Sequence, residues 1–405
     1  MTLKVFNDNG SINEYEIKKE LFYDKEYLNK VSYISSSKKE TNVLNMIKSY
    51  FSGAKSVLFD ETNKALTDYL KKLNIKEFNE ARDSENIFYD KDFMFLYFSS
   101  GSTGFPSGAL KTKENILEEI DVITSSLKEF NIKRVIVTVP FLHLYGSLYG
   151  LFFPLINDID IILKEHFLPH DLLDMIDDNS LVVTTPLYIK SLNRIKESKD
   201  LSKSLFVSST GPLFPNDAKD FKEKFSTDIL QIFGSTETGG IAYKFNDDSL
   251  WTTTEKVIVS TNENNELKVE SPFISNLIFE KEFKITNHQM QTFDYVEFYE
   301  NKFKLIGRSS QILKIAGKRY STIQIENILE DVDGIEKAVV FVNSNNTNSL
   351  KDEVLDITIE SKKEFLSKDI RKILQNELSN IKFSINLKIV EKIEITSIGK
   401  KIRVM

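Results

Sequence analysis

Short, almost wholly apolar runs recur through the middle of the chain, separated by stretches whose apolar positions repeat at helical spacing. RVIVTV (134–139), IDIIL (159–163), LVVTT (181–185), SLFVSS (204–209) and DILQIF (228–233) are rich in β-branched and aliphatic residues and read as buried strands. Between them NILEEIDVITSSLKEF and PNDAKDFKEKF place apolar residues three and four apart, which is the helical pattern. Strand–helix alternation from residue 91 to 240 predicts a mostly parallel sheet with helices on its faces. From 240 to 306 the runs become short and alternating, as in KVIVS, ELKVES and VEFYENKFKLIG, and predict antiparallel strands in a small barrel-like layer. After GRSSQILK come a helix, TIQIENILEDV, the strands KAVVFV and VLDITIE, and a second helix near 364–378. The expected class is α/β: a large domain at 1–307, with mostly parallel sheets flanked by helices plus the barrel-like layer, and a small α+β domain at 308–405.

Composition narrows the setting. A chain that is 41% hydrophobic and 28% charged reads as an ordinary soluble globular protein. Its net charge of −7 argues against a dedicated nucleic-acid binder, which normally shows a basic face. There is no cysteine, so disulfides, thiolate metal sites and a cysteine nucleophile are excluded, and any thioester chemistry needs an external thiol. The opening MTLKVFNDNGSINEYE lacks the apolar core of a secretion signal, and LYGLFFPLI (148–156) is too short to span a bilayer. The expectation is a cytoplasmic protein with no membrane span.

Chemistry-bearing residues cluster in several places, each with two readings. YFSSGSTGFPSG packs three glycines and five hydroxyl side chains into Ser99–Gly108. Such a stretch is either a surface loop or an anion cradle, in which glycines let the backbone approach a phosphate and hydroxyls add donors. It follows FMFLYF and precedes a helical pattern, so it is expected at the carboxyl edge of a sheet, where ligands of α/β proteins sit. The Walker pattern is absent. IFGSTETGG (232–240) sets Glu237 among small residues past a strand, as a magnesium ligand or as a solvated turn. PFLHLYGSLYG (140–150) sets His143 beyond RVIVTV, with Leu144, Tyr145 and Gly146 able to form a pocket wall; a structural histidine is the other reading. Asp294 in TFDYVEF suits ribose hydroxyls or an ordinary turn. Arg308, Lys314, Lys318 and Arg319 lie around Gly307 and Gly317, as phosphate contacts or a solvated basic turn, and Lys400 follows Gly399 in the closing tail.

The order of these stretches carries more than any one of them. FSSGSTGFPSG, PFLHLYG, SSTGPLFP, FGSTETG, TFDY, IGRSSQILKIAGKR with IQIE, and IGKKIR resemble, in series, the adenylate-forming superfamily of AMP-forming acyl-CoA synthetases, luciferases and adenylation domains. The resemblance covers residues 95 to 405. It implies that Ser99, Ser100, Gly101, Ser102, Thr103 and Gly104 hold the β- and γ-phosphates of ATP. Glu237 would bind Mg2+, Thr236 would touch the α-phosphate beside Gly234 and Ser235, and Ser209, Thr210 and Gly211 would lie along the adenine next to Phe233. Asp294, assisted by Arg308, would hold the ribose; Lys400 would bridge carboxylate and α-phosphate. The small domain would be mobile, rotating between two half-reactions and exchanging Lys400 for a segment around Lys314 and Gly317 that lines the thiol's tunnel. The thiol would come from CoA or from the 4'-phosphopantetheine of an acyl carrier protein.

Departures from the family pattern carry information too. Ser107 stands where the glycine-rich loop usually has lysine, with Lys111 as a candidate substitute, and the hinge position is Ser310. The region before the loop is short for the family, so the amino-terminal part is abbreviated. Leu142 follows Phe141 where amino-acid adenylation domains carry an aspartate, so the acid is expected to lack an α-amino group. A small aryl or short acyl acid fits a pocket of His143, Tyr145, Gly146, Phe233 and Ile241. Two alternatives stay open: an amine or hydroxyl acceptor, and a non-catalytic nucleotide-binding subunit.

Overall fold

A computed structural model of the chain describes residues 1–61, 63–80, 85–99, 107–308, 312–315, 318–343, 354–377, 384–395 and 401. The chain divides into two compact units interleaved in sequence. The first comprises Met1–Asp248, Thr252–Ile258 and Val269–Met290; the second comprises Ser249–Trp251, Val259–Lys268 and Gln291–Met405.

In the first unit twelve strands are placed before residue 246: β1 (Thr2–Phe6), β2 (Ile12–Glu16), β3 (Val31–Ile34), β4 (Lys55–Leu58), β5 (Phe95–Ser99), β6 (Ser107–Lys111), β7 (Arg134–Val137), β8 (Asp160–Lys164), β9 (Ser180–Thr184), β10 (Leu205–Ser208), β11 (Asp228–Ser235) and β12 (Gly239–Phe245). One sheet contains the order β12-β11-β10-β9-β7-β8-β1-β2, parallel from β11 to β1 and flanked by antiparallel β12 on one side and antiparallel β2 on the other. The other runs from Phe283–Ile285 through Leu277–Phe279 to β6, β5, β4 and β3.

Burial explains the apolar runs. Val135 and Val137 of β7 face a core shared with the helices Lys39–Ser52 and Lys113–Leu127, while Ile136 faces the opposite core under Leu172, Ile189 and Phe221. A strand covered on both faces has no solvent side on which to alternate. Phe95 and Tyr97 of β5 reach that same shared core from the other sheet, whereas Leu96 and Phe98 pack with Leu66 and Leu70 of the helix Lys64–Lys72. The unit is thus layered helix, sheet, helix, sheet, helix. Local signals fix the helix starts: Thr112 and Asn115 form a reciprocal capping box before Lys113–Leu127. The outer helices Pro169–Met175, Pro186–Arg194 and Pro215–Phe225 each begin on proline, whose missing N–H costs nothing there.

In the second unit Ile258–Thr261, Glu266–Glu270, Gln289–Tyr299 and Lys302–Arg308 are neighbours in that order, and the last two pair antiparallel as the alternating runs lead one to expect. Beyond them Lys337–Asn343, Val354–Glu360 and Ser384–Val390 form a three-stranded sheet. The helices Thr322–Glu330 and Ser367–Glu377 cover it through Ile325, Leu329, Ile370 and Leu374.

One local expectation is corrected. Ser107 and Gly108 belong to β6, whose register pairs Ser99 with Ser107 and Phe98 with Gly108. The glycine-rich stretch therefore joins two antiparallel strands, and the helix follows only after β6.

Candidate active site

The turn after β11 is built by close backbone approach. A Cβ on Gly234 would lie 2.1 Å from the carbonyl oxygen of Gly239, and the ladder between β11 and β12 shifts register at Phe233/Gly234. Gly239 has φ +73, a conformation that favours glycine. Inside the turn Thr238 Oγ1 accepts from the Ser235 N–H at 3.0 Å and Ser235 Oγ accepts from the Thr238 N–H at 3.1 Å. This reciprocal pair frames Thr236 and Glu237 between two fixed residues.

Two further segments arrive at the same carboxyl edge. At the end of β10, Ser209 Oγ donates to the Ile232 carbonyl at 3.0 Å, tying this turn to β11. Thr210 has φ +78, an outlier for a β-branched residue, and a Cβ on Gly211 would meet nothing within 4 Å. Past β7, His143 is the N-cap of the short helix Leu144–Ser147. Gly146 is there for packing, because a Cβ would sit 2.2 Å from the Pro140 carbonyl oxygen. The Tyr145 hydroxyl lies 2.6 Å from the Val207 carbonyl and 3.0 Å from that of Thr184, binding this helix to the ends of β10 and β9. Burial holds its phenol well above the ordinary range, so it remains a donor. Phe233 is half-buried and Ile241 is buried on β12. His143, Tyr145, Ser209–Gly211 and Phe233–Glu237 therefore share one edge of the first unit's sheet.

Lys111 takes a different place from the one considered for it. It is 1% exposed, and its Nζ donates to the carbonyls of Phe273 at 2.6 Å and Glu237 at 3.0 Å. An ammonium committed to two buried carbonyls does not replace a loop lysine. Below the same turn Glu119, 4% exposed, accepts the Gly240 N–H at 2.6 Å. Burial pushes its carboxyl up to about 7, against the pull of Lys111 and the Gly240 N–H. Burial likewise lowers Lys111 to about 8, opposed by the charges of Glu119 and Glu237. Sequence reasoning passed over Glu119, although a signal existed: it lies three residues from Ile116 and four from Ile123, on the apolar stripe of its helix.

In the second unit Asp294 and Arg308 are directly paired across two antiparallel strands, with Arg308 Nε 3.1 Å from Asp294 Oδ1. The Asp294 carboxyl is raised by burial, an effect that Arg308 opposes. Ser100, Gly101, Ser102, Thr103, Gly104, Gly317 and Lys400 lie outside the described residues, as do the side chains of Ser99 and Lys314.

Among the described residues no three His, Cys, Asp or Glu side chains converge as a ready-made metal cage. A single carboxylate at Glu237 fits a cation whose remaining ligands are nucleotide phosphates and water, which is how magnesium is commonly held.

A family model for AMP-binding enzymes matches residues 30–272, more than half of the chain. A putative long chain fatty acid-CoA ligase of Staphylococcus haemolyticus is 24% identical over 272 residues, 64% of this chain and 58% of that protein. The chain thus spans less than two thirds of that relative's length. Among solved structures, ATP-bound MatB from Rhodopseudomonas palustris superposes with TM-score 0.78 at 13% identity, over 98% of this chain and 93% of the other. O-succinylbenzoate Coenzyme A Synthetase from Bacillus subtilis, in complex with ATP and magnesium ion, gives 0.78 at 14% identity, over 96% and 93%. No described helix is long and apolar enough to cross a membrane. A layered α/β unit with a glycine-rich hairpin, a carboxylate turn and a serine–threonine turn at the sheet edge meets a family model over most of that unit: the chain belongs to the family of AMP-binding enzymes.

Proposed function

We propose that this protein activates a carboxylic acid with ATP and Mg2+ and then transfers the acyl group to the thiol of CoA or of a carrier protein's 4'-phosphopantetheine. The observation that carries this reading is the framed turn Ser235–Gly240, which presents Thr236 and Glu237 beside Ser209–Gly211. A carboxylate oxygen attacks the α-phosphorus, the bond to pyrophosphate breaks, and an acyl-adenylate forms. The thiol sulfur then attacks the acyl carbon and AMP leaves. Such chemistry is mainly positioning and charge stabilisation. Glu237 would hold the magnesium that neutralises phosphate charge, Thr236 the α-phosphate, and Asp294 with Arg308 the ribose. Lys400, on a mobile domain at 308–405, would bridge the two reacting anions in the first step, and Lys314 and Gly317 would border the thiol's path in the second.

A small aryl or short acyl acid is the proposed substrate class. Tyr145 supports it: a buried phenol fixed by the carbonyls at the ends of β9 and β10 gives this edge an aromatic wall and no carboxylate. Buried Leu142 supports the absence of an α-amino group.

The test is pyrophosphate release over a panel of aryl, short-chain and long-chain acids, with Lys400→Ala alongside. Release with the small acids, reduced ~10²-fold or more in the variant, is the expected outcome. Silence across the panel, with ATP bound, would replace this reading by a non-catalytic nucleotide-binding subunit. Product formed without any thiol would point to an amine or hydroxyl acceptor.

A further inference from the structure

The Glu237 turn rests on two buried charges that the chemistry above does not use. Lys111 Nζ holds the carbonyl of Glu237 itself, at 3.0 Å, and that of Phe273, at 2.6 Å. Glu119 Oε1 holds the N–H of Gly240, at 2.6 Å, three residues further along. One charge therefore holds the middle of the turn, at Glu237, and the other its end, at Gly240. The fit behind the turn is close: a Cβ on Gly239 would come within 2.6 Å of Glu119 Oε2. Both side chains come from neighbouring elements of the glycine-rich hairpin, Lys111 from the last position of β6 and Glu119 from the following helix.

We infer that Lys111 and Glu119 are positioning residues: two oppositely charged buried side chains that hold the turn at Glu237 itself and at Gly240 and so place the Glu237 carboxylate for nucleotide-bound magnesium. The inference rests on the magnesium role proposed for Glu237. The chemistry favours charge here, since a charged donor or acceptor bonded to a backbone group makes a shorter and stronger hydrogen bond than a neutral one. Alone, either ion would be costly in so dry a place; each lowers the cost of the other. Around the pair, Glu237 acts electrostatically on Lys111, and Tyr97 of β5 and Tyr149 both feel the Glu119 charge. The clamp thus sits at the meeting point of the hairpin, the Lys113–Leu127 helix and the turn.

The experiment is ATP titration by calorimetry, in Mg2+ and in EDTA, on the full chain and on four variants. Wild type should bind ATP more tightly with Mg2+, and Glu237→Gln should lose that gain. Lys111→Met and Glu119→Gln should keep the EDTA affinity and lose ~10- to 100-fold of the gain, the usual effect of removing a group that orients a metal ligand. The double variant Lys111→Met/Glu119→Leu removes both buried charges, so it should be more stable than either single variant and still lack the gain. It also carries the test if a single variant fails to fold. A purely structural pair predicts recovery of both properties in the double variant, and that result would overturn the inference. Glu237→Gln with an undiminished gain would instead overturn the metal role on which the inference stands.

Discussion

Each unit holds a pair of opposite charges, Lys111 with Glu119 in the first and Asp294 with Arg308 in the second, and the two pairs are built in opposite ways. Lys111 and Glu119 are sealed from water and spend their bonds on backbone groups of a turn. Asp294 and Arg308 bond directly to one another, with the arginine side chain 55% exposed and the aspartate 10%. Desolvation makes the first pair all-or-nothing: removing one member strands the other in a medium that cannot solvate it. The second pair can exchange partners, because water takes over a half-exposed guanidinium at little cost. A fixed pair suits a metal ligand whose geometry must not drift. A loose pair suits the ribose role proposed above, in which two hydroxyls would compete with the guanidinium for the carboxylate.

The contrast can be broken by substitution. Lys111→Met should lower unfolding stability by about 3–5 kcal/mol in urea titration, and adding Glu119→Leu should recover part of that loss, the remainder being the cost of backbone groups left without partners. A single variant of undiminished stability would show that the buried charges are solvated after all. A smaller effect is expected from pH. Glu119 is raised from 4.5 to about 7, so the folded chain holds its proton more tightly than the unfolded one, and stability falls as pH rises between those values. Lys111 is lowered from 10.5 to about 8, so stability rises again from pH 8 to 10.5. Wild type should thus show a shallow stability minimum at about pH 7–8, flat in the double variant, when denaturation midpoints are compared across that range. The smallest change belongs to Arg308→Ala, within about 1 kcal/mol of wild type in stability. Its measurable effect should fall on the KM for ATP; a large loss of stability would place this pair with the buried one.

How far the sequence anticipated this architecture depended on whether a pattern was local. The strands β7 to β11 were legible because burial on both faces writes continuous apolar runs, and the helix Pro215–Phe225 coincides with its predicted span. β6 was not: SGALK reads as turn chemistry, and it is a strand because β5 and Leu277–Phe279 pair with it on either side. Lys111, weighed as a substitute for the loop lysine, is hidden for a related reason: only the distant carbonyls of Glu237 and Phe273 make it a buried one. The family was legible, since each motif that carries the resemblance lies in one short stretch. The clamp beneath them was hidden, because its members are brought to the turn from residues more than one hundred positions away.

The strand β1 has a consequence for the order of assembly. Its antiparallel partner β2 is at hand, but its parallel partner β8 lies 158 positions later, with Leu3 opposite Ile161. At ribosomal speeds of roughly 5–20 residues per second, the wait is on the order of 10–30 s. Through that interval the nascent hairpin keeps one edge bare, an edge able to pair with any passing strand. Growth of this polypeptide therefore includes an interval in which β1 has β2 alone for a partner, and the sheet it belongs to is completed only after β8 has been made.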